Sequence, residues 1–100
     1  MGAVRPMMTT LNNIVTDLAA LDEAATIYAA EPWTGDSKAL VAQEPLAGGL
    51  PPETKAAGLK YFIEVAIARD FLDGWIAGLD HAPSPQEMCD RLIRYAVTDA

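Results

Sequence analysis

Few side chains in this 100-residue chain are equipped for chemistry. The single histidine, His81, follows Asp80 and precedes Ala82-Pro83; with Asp73 it has the composition of a base with an orienting acid, or of a partial metal site. In a loop between two helices, however, such a residue reads first as a solvated side chain beside an ordinary acid. The single cysteine, Cys89, sits near the start of a helical pattern, where the macrodipole favours a thiolate, but its place in an apolar stripe predicts a buried thiol. Asp70 and Asp73 stand at i and i+3 on one helix face, the spacing of paired carboxylates; beside Arg69 on a polar face they read as surface charge. Ser37 and Ser84 lack a nucleophile-elbow setting, and Gly48-Gly49 is not followed by the Lys-Ser/Thr of a phosphate cradle. No catalytic residue, metal ligand set or cofactor is expected, and the chain reads as a non-enzyme.

The charge pattern points elsewhere. Seven Lys and Arg face fourteen Asp and Glu, for a net charge of −7. Between Asp22 and Glu53, six acids meet one base, Lys38, while residues 1–21 balance. Within this acidic stretch Trp33 follows Pro32 at a turn, between Glu31 and Asp36. An aromatic rimmed by acids has the composition of an interface hot spot for a basic partner. The same tryptophan would also serve as a lid folded over the core. Glu31, Trp33, Asp36 and Glu44 form the candidate partner-binding set, to which Asp70 and Asp73 add two further carboxylates. Nucleic acid is not expected as a direct partner, since phosphate recognition needs a basic footprint.

These residues must be positioned by one small domain. Hydrophobic residues make up 51% of the chain, but 18 of them are alanine, and Leu, Ile, Val and Phe together number 23. That is just enough for a core in an acidic chain. The length excludes a TIM barrel or a full dinucleotide-binding fold. No apolar run reaches the roughly 20 residues that span a bilayer, and one cysteine fits a reducing compartment; a cytoplasmic protein is expected. Residues 1–8 read as a disordered or vector-derived lead and 9–100 as a single α+β domain.

Thr10 is an N-cap for a helix over about 10–20, with Leu11, Ile14, Val15 and Leu18 on one face. Thr26-Ile27-Tyr28, the break at Pro32 and the turn residues Thr34-Gly35-Asp36-Ser37 predict a hairpin of about 25–32 and 38–43. The alanines of this region also suit an extension of the first helix to Ala30. After a loop at Pro45–Leu50, Pro51-Pro52 opens a short helix closed by Gly58. Residues 59–65 read as a strand with Tyr61, Ile63 and Val65 on one face and Lys60, Phe62 and Glu64 on the other. An amphipathic helix follows over about 67–79, with Ala68, Phe71, Leu72, Trp75, Ile76 and Leu79 inward and Arg69, Asp70, Asp73, Ala77 and Asp80 outward. Ser84-Pro85-Gln86-Glu87 is a capping box that starts a last helix at about 85–98. The expected architecture is a small antiparallel sheet, hairpin plus strand, packed by these helices.

This order resembles a family of small bacterial domains of unknown function. The pattern there is a helix, a W-x-x-x-(T/S)-K/C-x-x-V hairpin, a proline-led short helix, a G-L-K/R-Y strand and a Y-x-x-x-D-A ending. The matching residues are Trp33, Ser37-Lys38, Val41, Pro51, Gly58-Leu59-Lys60-Tyr61, and Tyr95 to Asp99-Ala100. In size, charge and layout the chain is also similar to immunity proteins encoded beside bacterial toxins. That likeness implies an inhibitor that occludes a basic toxin surface, such as a nuclease domain. The alternative is a small regulatory or adaptor subunit without enzymatic activity, monomeric or paired through an exposed sheet edge.

Overall fold

The structure, a computed structural model, describes residues 8–98. Of the expected lead at 1–8, residues 1–7 lie outside the described residues, as does the closing Asp99-Ala100; Met8 is described and exposed. The chain order is β1 (Thr9–Thr10), α1 (Leu11–Thr16), β2 (Thr26–Ala29), β3 (Lys38–Ala42), α2 (Pro52–Ala56), β4 (Lys60–Glu64), α3 (Val65–Ala77) and α4 (Pro85–Thr98). The fold is α+β. The four strands form one antiparallel sheet in the order β1-β3-β2-β4.

Because β3 and β4 both pair antiparallel with β2, they run parallel to each other and their connection must cross the sheet. That connection carries α2, and it delivers Leu59 to a small cluster with Tyr28, Leu40 and Ala42 on one face. The opposite face holds the main core. There Ile27, Ala29, Ala39 and Phe62 meet Leu11, Ile14, Val15 and Leu18 from the first helical segment, Ala68 and Leu72 from α3, and Cys89 and Leu92 from α4.

Local chemistry explains most boundaries. Thr10 caps α1, its Oγ1 accepting from the Asn13 N–H at 3.2 Å. The helix stops at Thr16, earlier than the expected 20, and the chain continues as one 3₁₀ turn at Leu18–Ala20. The hairpin forms, so the alternative of a first helix running on to Ala30 does not hold; Tyr28 and Thr26 are buried strand residues. Gly58, at φ +73°, takes the left-handed conformation that ends α2. The Ser84 capping box is complete: Glu87 N–H donates to Ser84 Oγ (3.1 Å) and Ser84 N–H to Glu87 Oε1 (2.9 Å).

Four expectations need correction. A two-residue strand, β1, precedes α1 and was not anticipated. In β4 the strict alternation of faces fails, because Ile27 pairs with Ile63 but Tyr28 with Tyr61, leaving Phe62 as an extra residue. This bulge turns both Phe62 and Ile63 toward the main core and leaves Tyr61 on the other face, edge-on to Tyr28 at 6.5 Å between ring centroids. Val65 is then the first residue of α3, not the last of the strand, so the helix covers 65–77 instead of 67–79. Finally, Arg69 does not simply face water. Its Nε donates to Leu18 O (3.1 Å) and its Nη2 to Ala19 O (3.0 Å) and Leu21 O, tying the 3₁₀ turn to α3.

Candidate protein-binding site

The loop between β2 and β3 is built from its own side chains. Ser37 is buried; its N–H donates to Thr34 O (3.0 Å), while its hydroxyl accepts from Thr34 N–H (2.8 Å) and donates to Pro32 O (3.1 Å). Asp36 N–H donates to Thr34 Oγ1 at 3.2 Å. The loop also completes the start of α1: Leu11 N–H donates to Ser37 O (3.1 Å) and Asn12 N–H to Gly35 O (2.9 Å). Two of the four N–H groups that a helix start leaves free are thus satisfied by carbonyls from the hairpin. A Cβ at Gly35 would lie 2.5–2.7 Å from the Asn12 side-chain amide, so that amide would have to move to admit any other residue.

On this fixed frame Glu31 and Asp36 are exposed, and no base lies within ion-pair distance of either among the described residues. Trp33 between them is half-buried. Its ring meets Phe62 edge-to-face at 4.9 Å between centroids, and its Nε1–H donates to Ala29 O at 3.4 Å. The lid role is therefore part of what Trp33 does, and the rest of the side chain stays exposed in the loop that carries Glu31 and Asp36.

The other expected binding residues lie apart from this loop. Glu44 follows the far end of β3, where its charge contributes to raising the hydroxyl pKa of Tyr28 and Tyr61; burial is the larger cause in both. Asp70 and Asp73 are exposed on α3. So the structure brings Glu31, Trp33 and Asp36 together and separates them from Glu44, Asp70 and Asp73. Glu44 is parted from Glu31 and Asp36 because β3 carries the chain away from the turn, and Asp70 and Asp73 belong to a later element, α3.

The remaining candidates resolve simply. Cys89 is buried, and desolvation first, then the Asp90 and Asp36 charges, push its thiol up to about 11. At neutral pH it is a protonated core residue. His81 is exposed; its Nδ1 lies 3.0 Å from Asp80 Oδ1, and its Nε2 lies 3.6 Å from Glu87 Oε2. Hydrogen bonding to Asp80, then to Glu87, raises its pKa. Glu87 therefore stands where the sequence reading had put Asp73; the signal was available in the capping box, which fixes Glu87 one turn into α4 and near the preceding loop. No cluster of three His, Cys, Asp or Glu among the described residues is arranged to hold a metal ion. No described helix is long and apolar enough to cross a membrane.

Comparison with protein-family models, curated proteins and solved structures finds no match to this chain. The resemblances in layout and charge therefore rest on the sequence motifs alone, and the site has to be argued from its own geometry.

Proposed function

We infer that this domain is a protein-binding inhibitor that presents the 31–37 loop to a basic surface, without an enzymatic step of its own. The observation that carries this reading is the pairing of rigidity with unneutralised charge. Glu31 and Asp36 extend to solvent from a loop already fixed by Ser37, Thr34 and the start of α1. A preorganised loop loses little conformational freedom on binding, and exposed carboxylates steer a cationic partner and speed its association. Trp33 supplies apolar area between them. An immunity protein occluding the substrate groove of a basic toxin, such as a nuclease domain, would use these features in this way. Glu44 would join only at the edge of such an interface.

The alternative, a homodimeric adaptor joined through a sheet edge, has less behind it. One edge, β1, is two residues long; the other, β4, carries the Phe62 bulge and is flanked by Lys60 and Glu64. Short, bulged and charged edges resist strand addition.

The test is affinity capture from native lysate at low and high salt, using the wild type and Glu31→Lys/Asp36→Lys. One basic protein, captured at low salt, released at high salt and lost with the folded double variant, is the expected result. Retained capture by that variant would overturn the reading, as would a concentration-dependent dimer that captures only itself.

A further inference from the structure

The connection from β3 to α2 presents large apolar side chains to water. It reads Gln43-Glu44-Pro45-Leu46-Ala47-Gly48-Gly49-Leu50 and ends at Pro51, the N-cap residue of α2. Leu46 is exposed at 110%, as open as in an extended peptide, and Leu50 at 37%. Gly48 and Gly49, both at φ +82°, have nothing within 4 Å of where a side chain would begin.

These are the conditions under which a folded chain is cut. An endopeptidase draws its substrate out as an extended segment on both sides of the scissile bond, so cleavage follows the population of the locally opened form. Opening 44–50 breaks one bond among the described residues, from Gly48 N–H to Pro45 O (2.9 Å), and no strand or helix has to melt. Other large apolar residues are held more firmly. Tyr28 and Phe62 are buried, Tyr61 pairs with Tyr28 in the sheet, and Trp33 belongs to the hydrogen-bonded 31–37 loop. Leu79, between α3 and α4, is half-buried, and its N–H donates to Ile76 O at 3.0 Å. Leu50 is excluded by chemistry, since the Pro51 nitrogen that follows carries no N–H and its φ is locked. Of these positions, the Leu46–Ala47 bond is the one both open and cleavable.

We propose that the Leu46–Ala47 bond is a processing site for an endopeptidase with an apolar specificity pocket, and that the cut turns the fold into a two-chain assembly. Water adds across the amide, leaving a carboxylate on Leu46 and an amino group on Ala47. Residues 1–46 keep β1, α1, β2 and β3, while residues 47–100 keep α2, β4, α3 and α4. The pieces remain joined by the β2–β4 ladder, by Trp33 on Phe62, and by Arg69 on the carbonyls of Leu18, Ala19 and Leu21. Their union is then bimolecular, and its population falls on dilution. As the pieces part, Trp33 loses its support on Phe62, and a surface built on the 31–37 loop is switched off. The cleavage site stands without the binding reading; only this last consequence rests on it.

The test applies chymotrypsin, whose specificity pocket is an apolar slot, to the native protein and follows the products by intact mass and size-exclusion chromatography. One early cut giving 1–46 and 47–100 is expected, the pieces co-eluting when concentrated and separating on dilution. Leu46→Ser removes the side chain that the pocket reads, and Ala47→Pro removes the scissile N–H. Each should slow the early cut by about tenfold or more while leaving the melting temperature near that of the wild type. The wild-type cut should also depend far less on urea than global unfolding does, because it needs only local opening. A first cut elsewhere between Thr9 and Thr98, an unchanged rate in Leu46→Ser, or a urea dependence equal to that of global unfolding would each overturn the site. Pieces that stay together at every dilution would overturn the two-chain consequence.

Discussion

The two long connections flanking β3 belong to the same acidic stretch, yet they are different physical objects. The 31–37 loop contains a buried serine, four internal hydrogen bonds between Pro32, Thr34, Asp36 and Ser37, and two bonds to α1. The 43–50 connection is largely open: Leu46 is fully exposed, and Gly48 N–H to Pro45 O, at 2.9 Å, is its internal backbone bond. Glu31 and Asp36 thus stand on a loop that holds its carboxylates in place, whereas Glu44 stands on one that does not. For recognition, the difference matters more than the charge count, because ordering a loose segment on binding costs roughly 1–2 kcal/mol per residue fixed.

Substitutions should separate the two connections in order of effect. Trp33→Ala removes the ring from Phe62 and is expected to cost about 3 kcal/mol, the low end for deleting a large aromatic because the side chain is half-buried. Chemical denaturation would read this as a lower midpoint with an unchanged slope. Gly35→Ala pushes a methyl into the Asn12 amide and should cost about 1–3 kcal/mol, lowering the melting temperature and loosening amide protection at Leu11 and Asn12. Leu46→Ser, in the open connection, should stay within about 0.5 kcal/mol of wild type. A loss as large as that of Gly35→Ala would erase the distinction.

The smallest effect is expected at the exposed cap of α4. His81 has a raised pKa, so its contribution is fully present below its ordinary 6.5 and is lost as pH rises through the folded value. Glu87 has a lowered pKa, chiefly from the Ser84 N–H, so its contribution is present above its ordinary 4.5 and is lost as pH falls through the folded value. Between these limits both act together. Thermal melts should show a shallow stability maximum near pH 5–6, flattened on its alkaline side in His81→Ala.

Legibility in the sequence followed the range of the interaction responsible. The α4 start was readable because Ser84 and Glu87 make their bonds within three residues, and the hairpin because its turn residues lie together. The Phe62 bulge was not readable, since the apolar run Tyr61-Phe62-Ile63 fits either face and only its register against Ile27 and Tyr28 reveals the extra residue. Arg69 looked like surface charge because its acceptors, Leu18, Ala19 and Leu21, lie about fifty residues earlier. The candidate site divides in the same way: Glu31, Trp33 and Asp36 share a turn, whereas grouping them with Glu44, Asp70 and Asp73 would have required the path of the chain in space.

The bonds from Gly35 and Ser37 to the start of α1 also constrain the order of assembly. A six-residue helix has too few turns to persist alone, because the first turn fixes several residues for one hydrogen bond. α1 gains two of its earliest N–H partners only after a loop more than twenty residues downstream has closed. Its formation is thereby coupled to a non-local event, and φ-values low in α1 and higher in the hairpin are the expected outcome of a kinetic mutant series.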